Sequence, residues 1–269
     1  MTAATRIVLF GASGRMGQEI LRLVPNEPGI SVVSALVRPG SVLDGEPVWP
    51  GRTSSLVYER TLEPEQQGEV LVDFSSPASF DAALALAVER EMAFVSGTTG
   101  LSDAQHDELE SAAQRIPVLW SANFSIGVAL LRRLALEAAS LLGEDFDIEI
   151  IEAHHRLKRD APSGTALALG RAIADCRGRS LDEVGAFVRH GKDTQRRRGE
   201  IGFASVRGGD VVGDHTVLFA GDGERLELTH RAGTRALFAR GALLAARWIA
   251  GRSAGKSTLD QAVAAAAPD

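Results

Sequence analysis

Apolar positions along the chain follow two rhythms. Residues 5–10 (TRIVLF) form a short continuous apolar run, the mark of a strand buried on both faces. A helix follows, with Ile20, Leu21 and Val24 apolar, and Pro25 closes it. Similar runs recur at residues 31–37, 70–74, 92–96 and 117–121. Helices are predicted between them, over 78–90 and from a Ser102 cap through Arg115. Residues 39–67 show little periodicity and read as loop with one or two weak elements. A long helix over 125–142 is apolar on several faces. The rhythm then changes to period two, with Phe146, Ile148 and Ile150 alternating with Asp147 and Glu149, as in a half-buried strand. Leu167, Leu169 and Ile173 mark a further helix with Ser163 as its N-cap. Strands are predicted at 200–207, 215–220 and 225–230. Gly221-Asp222-Gly223 supplies a tight-turn signal between the last two. A helix over 234–250 precedes an alanine-rich tail.

Strands alternating with helices predict an α/β protein whose N-terminal part is a Rossmann-type doubly wound parallel sheet. The later half predicts an α+β domain with a mostly mixed or antiparallel sheet. The boundaries expected are 1–125, completed by 235–269, for the first domain, and 126–234 for the second. A chain of 269 residues can hold two such cores. A net charge of −6 speaks against wholesale nucleic-acid binding. Cys176 is the sole cysteine, so no internal disulfide forms, which favours a reducing cytoplasm. No signal-peptide pattern and no membrane-spanning run is visible.

The first apolar run leads directly into Gly11-Ala12-Ser13-Gly14-Arg15-Met16-Gly17. Strand, glycine turn and helix together are the setting of a dinucleotide fingerprint. Gly11 permits the turn, Gly14 lets backbone approach a pyrophosphate, and Gly17 lets the helix pack closely. An NAD-binding fold usually places an acid about 20 residues further on. Here Val37 and Arg38 stand there, which points to a 2′-phosphate and so to NADPH in preference to NADH. Arg15 is a second candidate for that phosphate. Ligands of such sheets lie beyond the carboxyl ends of the strands, where Gly97, Thr98, Thr99, Ala122, Asn123 and Phe124 fall. Asp73 also falls near a strand end, where turn capping and ligand contact are both open to it.

The densest chemistry lies at 149–170. His154, His155, Arg156, Lys158 and Arg159 crowd what reads as a short loop ending on a helix start at Ser163-Gly164-Thr165. A helix N-terminus offers unpaired amides to an anion. Such a loop suits a small polyanionic substrate with a proton donor beside it. Crowding of like charge around His154 and Lys158 favours their neutral forms. Adjacent histidines without i, i+4 spacing and without a nearby cysteine argue against a metal site. Residues 189–198 read as a solvated, mobile loop.

These residues resemble the 4-hydroxy-tetrahydrodipicolinate (dihydrodipicolinate) reductase family of lysine and diaminopimelate biosynthesis. The likeness runs from Arg6 to about Trp248. It rests on Gly14-Arg15-Met16-Gly17, Gly97-Thr98-Thr99, Asn123-Phe124-Ser125, Glu152-Ala153-His154-His155-Arg156 with Lys158 and Asp160-Ala161-Pro162-Ser163-Gly164-Thr165, and Glu224-Arg225-Leu226-Glu227-Leu228-Thr229-His230. The resemblance implies an NAD(P)H-dependent reductase of a cyclic dicarboxylate, cytoplasmic and homotetrameric through the sheet of its second domain. It implies His154 as general acid/base and Lys158 as second proton donor, with His155, Gly164 and Thr165 binding substrate. The turn from Gly11 to Met16, Arg38, Gly97 to Thr99 and Ser121, Ala122, Asn123 and Phe124 would bind the dinucleotide. Closure of the two halves implies hinges near 123–127 and 232–234. Many members carry an acid before the arginine, so Val37 is a departure that favours NADPH. Two alternatives stand beside this reading: an amino-acid dehydrogenase of similar build, and a non-catalytic dinucleotide sensor.

Overall fold

The computed structural model describes residues 4–266. The chain divides into two compact units, Met1–Ile126 with Arg235–Asp269, and Gly127–Thr234.

The first unit opens with β1 (Thr5–Phe10), α1 (Arg15–Leu23) and β2 (Ile30–Leu36). Ile7, Val8 and Leu9 are fully buried because β1 has parallel partners on both sides, β2 and β4 (Val70–Asp73). Between these, β3 (Tyr58–Glu59) pairs with β2. Bridges Asp44 to Tyr58 and Pro47 to Val57 add the only other order of that kind among the described residues of 39–67. The helix α2 (Pro77–Glu89) starts at a proline, whose fixed φ suits the first helical position. After β5 (Ala93–Ser96), α3 (Asp103–Ala112) opens on a capping box of Ser102 and Gln105. It ends three residues before the expected Arg115, and a turn instead drops the buried Ile116 into the core ahead of β6 (Pro117–Trp120). Phe80 and Leu84 of α2 and Leu109 of α3 pack with Val8, Leu71, Phe94 and Val118 of the sheet.

The second unit follows α4 (Ile126–Leu142) with β7 (Asp147–His154), α5 (Gly164–Cys176), α6 (Leu181–Val184), β8 (Gly185–Ala186), β9 (Ile201–Arg207), β10 (Gly213–Gly221) and β11 (Glu224–Ala232). Its sheet runs β11-β10-β7-β9-β8. β10 is antiparallel to β11 and β7, whereas β9 is parallel to β7 and β8, so the sheet is mixed. One face carries Ile148, Ile150, Ile201, Phe203, Val217 and Phe219 against Leu131 and Ala135 of α4 and Leu169 and Ile173 of α5. On the other face Ile151 and Val206 remain partly exposed.

Two expectations need correction here. β7 does not stop near Ile150. It continues to His154, because β10 pairs as far as Ala153 and β9 as far as His154 itself. His154 is therefore a strand residue, not a loop residue. Segment 189–198 is not simply solvated, for Arg189 and Arg196 both form ion pairs with Glu149 on the open face of β7. Arg196 also donates to the Ile148 carbonyl at 2.9 Å. Gly202 makes room for that carboxylate, since a Cβ there would lie 2.0 Å from Glu149 Oε2.

The chain then returns to the first unit through α7 (Ala236–Ile249), β12 (Gly255–Ser257) and α8 (Leu259–Ala265). α7 buries Ala239, Ala242, Leu243, Ala246 and Ile249. It approaches so closely that a Cβ at Gly241 would meet the Phe124 carbonyl oxygen at 1.8 Å. β12 pairs parallel with β6, and α8 opens on a Thr258–Gln261 capping box. The completed order is β3-β2-β1-β4-β5-β6-β12, all parallel. Strand order reverses between β1 and β4, the switch point at which such sheets bind ligands.

Candidate functional site

Alternation along β7 turns Ile148, Ile150, Glu152 and His154 to one face. The first two belong to the core and the last two end it with a polar pair. Glu152 is 1% exposed and His154 8%. Glu152 Oε2 lies 2.5 Å from His154 Nδ1. Arg207, at the end of β9, donates to both carboxylate oxygens at 2.7 and 2.8 Å. The Ser163 amide donates to Oε1 at 3.2 Å. Burial alone would raise the Glu152 carboxyl. Hydrogen bonds from Arg207, Ser205 and His154 outweigh it and hold the group at about 2.

A second imidazole backs the first. The rings of His154 and His215 meet edge to face, with centroids 5.2 Å apart. His215 is 3% exposed, and its Nε2 lies 3.1 Å from the Ser163 hydroxyl. Burial and the neighbouring His154 push it down to about 4, so it stands neutral at pH 7. Ser163 caps α5 as expected, accepting from the Ala166 amide at 3.1 Å. Gly164 is exposed and Thr165 half-buried on the first turn.

The loop between is less one-sided in charge than its sequence suggests. Lys158 Nζ sits 2.9 Å from Asp160 Oδ1, and the lysine holds that carboxyl below its usual range. Lys158 and His154 thus each face an acid rather than cations alone. His155 is half-buried, whereas Arg156 and Arg159 are exposed.

In the first unit Gly11 has φ +80°, and its amide and that of Ala12 donate to the Leu36 carbonyl at 3.1 and 2.9 Å. A Cβ at Gly17 would lie 2.4 Å from the Gly11 oxygen, so α1 packs hard on the turn. No side chain caps α1 at Gly14, and its first turn holds no acid, which leaves Ser13, Gly14, Arg15 and Met16 fit to meet a phosphate. Arg15 and Arg38 are exposed, and Val37 is buried at 5%. At the next strand ends, Asp73 accepts from Ser96 and Thr98 hydroxyls at 2.7 and 2.8 Å. Asp73 is a turn-capping acid, and the Thr98 hydroxyl is already engaged. Gly97 is required by the Phe74 ring, which a Cβ would meet at 2.1 Å. Ser121 donates to the Asn123 carbonyl at 2.8 Å, and Asn123 Oδ1 accepts from the Ser125 amide at 2.8 Å. Ala122 is exposed, while Phe124 is buried edge-on to Phe74.

Glu152 with Arg207, and His215, are the residues that sequence reasoning passed over. Glu152 was detectable: it continues the inward period-two positions of β7, and a buried acid there demands a partner. Arg207 and His215 lie on strands that reach β7 only through the sheet, so spacing offered no signal.

A parallel sheet with a glycine turn at its switch point is a nucleotide-binding Rossmann fold, here paired with a mixed-sheet unit, the build of a two-unit oxidoreductase. No helix among the described residues is long and apolar enough to cross a membrane. Residues 5–124 match the family described as dihydrodipicolinate reductase, N-terminus, and residues 127–263 the family described as dihydrodipicolinate reductase, C-terminus. A 4-hydroxy-tetrahydrodipicolinate reductase of Thiobacillus denitrificans is 47% identical over 256 residues, covering 94% of this chain and 96% of that one. One of Pseudomonas fluorescens is 48% identical, covering 93% and 95%. A dipicolinate-bound dihydrodipicolinate reductase of Paenisporosarcina sp. TG-14 superposes with a TM-score of 0.75 at 26% identity, covering 96% and 99%. The chain belongs to the dihydrodipicolinate reductase family. The amino-acid-dehydrogenase and sensor alternatives give way to that membership.

Proposed function

We propose that this protein reduces 4-hydroxy-tetrahydrodipicolinate to tetrahydrodipicolinate, with loss of water, in lysine and diaminopimelate biosynthesis. The observation that carries the reading is the His154 imidazole, gripped by a buried carboxylate on the strand that leads to Lys158 and the α5 N-terminus. The relative solved with dipicolinate bound supports a small cyclic dicarboxylate as substrate. Reduced NADPH, preferred over NADH, supplies a hydride when bound. Residues Gly11 to Met16, Arg38, Gly97 to Thr99 and Ser121 to Phe124 would hold it. The exposed Arg38, next to a Val37 that stands in place of an acid, supports the preference.

Departure of the ring hydroxyl as water leaves a conjugated ring, and hydride adds to the carbon that lost the hydroxyl. The adjacent carbon becomes electron-rich and takes a proton. His154 supplies that proton, and Lys158 is the second donor. His155 and the amides of Gly164 and Thr165 bind the carboxylates. General acid catalysis of this kind contributes roughly 10²–10⁴-fold. Residues 126–234 are read as the substrate-binding and oligomerisation domain, with 1–125 and 235–269 for the nucleotide. A homotetramer built on the open face of the mixed sheet would cover Ile151 and Val206. Light scattering should then give about four times the 28.5 kDa chain mass. The single exposed cysteine accords with a cytoplasmic protein.

The test couples the purified protein to the enzyme that condenses pyruvate with aspartate semialdehyde. Oxidation of each reduced nicotinamide is followed in turn. Turnover with NADPH faster than with NADH is expected. No oxidation of either would overturn the proposal.

A further inference from the structure

We infer that Glu152 is a positioning residue: it fixes His154 in the tautomer protonated at Nδ1 and, with its other oxygen, sets the start of helix α5. The inference rests on the reading of His154 as proton donor, and it adds the group that makes one ring nitrogen, Nε2, the working one.

An ionised carboxylate can only accept hydrogen bonds. Glu152 Oε2 lies 2.5 Å from His154 Nδ1, so that nitrogen carries the hydrogen. Nε2 is then the nitrogen that takes up the second proton and, from the imidazolium, gives it to the substrate. Space for that atom is kept by Gly213 of β10, where a Cβ would come within 3.0 Å of it. Which ring nitrogen does the chemistry is decided by what the other one bonds.

The carboxylate has to remain ionised for this to hold, and its surroundings ensure it. Arg207 donates to both oxygens, in the forked geometry that suits a carboxylate. A buried charge without such a partner would be strongly destabilising. Arg207 also donates to the Asp160 carbonyl at 2.7 Å, and Asp160 is the acid on Lys158. Glu152 Oε1 meanwhile accepts the Ser163 amide, one residue before Gly164. A single side chain thus receives hydrogen bonds from the imidazole, from the guanidinium that ties down the Lys158 loop, and from the residue that caps the substrate helix. An ion pair serving stability alone would need only Arg207.

Nitrogen-15 NMR of the labelled imidazoles tests this, with His154 assigned by its absence from His154→Gln. The wild-type protein above the titration of His154 should show the Nδ1–H form, and the Nε2–H form would overturn the inference before any variant is made. In Glu152→Gln the amide can donate to Nδ1, so the proton should move to Nε2. kcat should then fall by about 100-fold or more, as for a wrong tautomer elsewhere, with KM and dipicolinate affinity within about threefold. Glu152→Asp keeps an acceptor-only group and should recover at least about tenfold of the loss. An unchanged tautomer in Glu152→Gln, or a loss confined to KM, would overturn the inference. A changed tautomer with unchanged kcat would leave the hold on the ring standing and remove His154 from proton transfer.

Discussion

The His215 ring and the Ser163 hydroxyl lie 3.1 Å apart although 52 residues separate them in sequence. His215 can join the cap of α5 only as a buried neutral group, and that has a thermodynamic signature. In the folded protein it takes a proton only near pH 4, against an ordinary value of 6.5. Between those values the unfolded chain binds the extra proton, so stability rises with pH. Denaturant melts should show a loss on the order of 3 kcal/mol from this group on going from pH 7 to pH 4. Above pH 6.5 it contributes no slope. His215→Gln should flatten the curve in that window, and an unchanged slope would assign it elsewhere.

The proposed role of His154 separates binding from chemistry. His154→Gln is expected to lower kcat by at least about 100-fold while substrate KM moves only a few-fold. Steady-state kinetics with both substrates varied gives the split. A rise in KM alone would make the ring a binding group.

Cofactor choice is best examined at Arg38. Val37→Glu is expected to improve NADH use, but Val37 is buried, and a carboxylate there also meets the core. Arg38 is exposed, and its replacement disturbs little else. Arg38→Ser should weaken NADPH binding by about tenfold, the loss of one charge-assisted contact, and leave NADH within about twofold. Fluorescence titration with each nucleotide reads this without turnover. Equal weakening of both would take Arg38 off the 2′-phosphate.

Gly202→Ala would drive a methyl into the Glu149 carboxylate. The carboxylate has to swing away, which takes one ion-pair partner from each of Arg189 and Arg196. Limited trypsin digestion should then cut within 189–198 several-fold faster than in the parent protein. Equal rates would show that the arginines are held by other means.

Much of this was legible in the chain, for local reasons. Parallel strands buried on both sides have to be largely apolar, so the runs ending at Phe10, Phe74 and Ser96 showed themselves. The glycine turn and the Ser163 cap are likewise readable within a few residues. What escaped reading was non-local. β7 seemed to end where its inward positions turn polar, because the Arg207 that makes Glu152 tolerable lies 55 residues away. The pairing of Arg196 with Glu149 spans 47 residues, so its loop looked solvated. β12, written Gly-Lys-Ser, has no apolar signature and is a strand only because β6 pairs with it. The Thr258–Gln261 box that opens α8 was a local signal and was missed.

The second unit is inserted into the first, and this bears on how the protein forms during synthesis. Residues 127–234 have left the ribosome before α7 and β12, which the first sheet still needs. The insert can condense around its own core while the earlier half waits without the helix that covers one face of its strands. The half that emerges first is the half that is finished last, contrary to the usual amino-terminal order. During that interval the bare β6 edge and the uncovered apolar face are what a nascent-chain chaperone would have to shield.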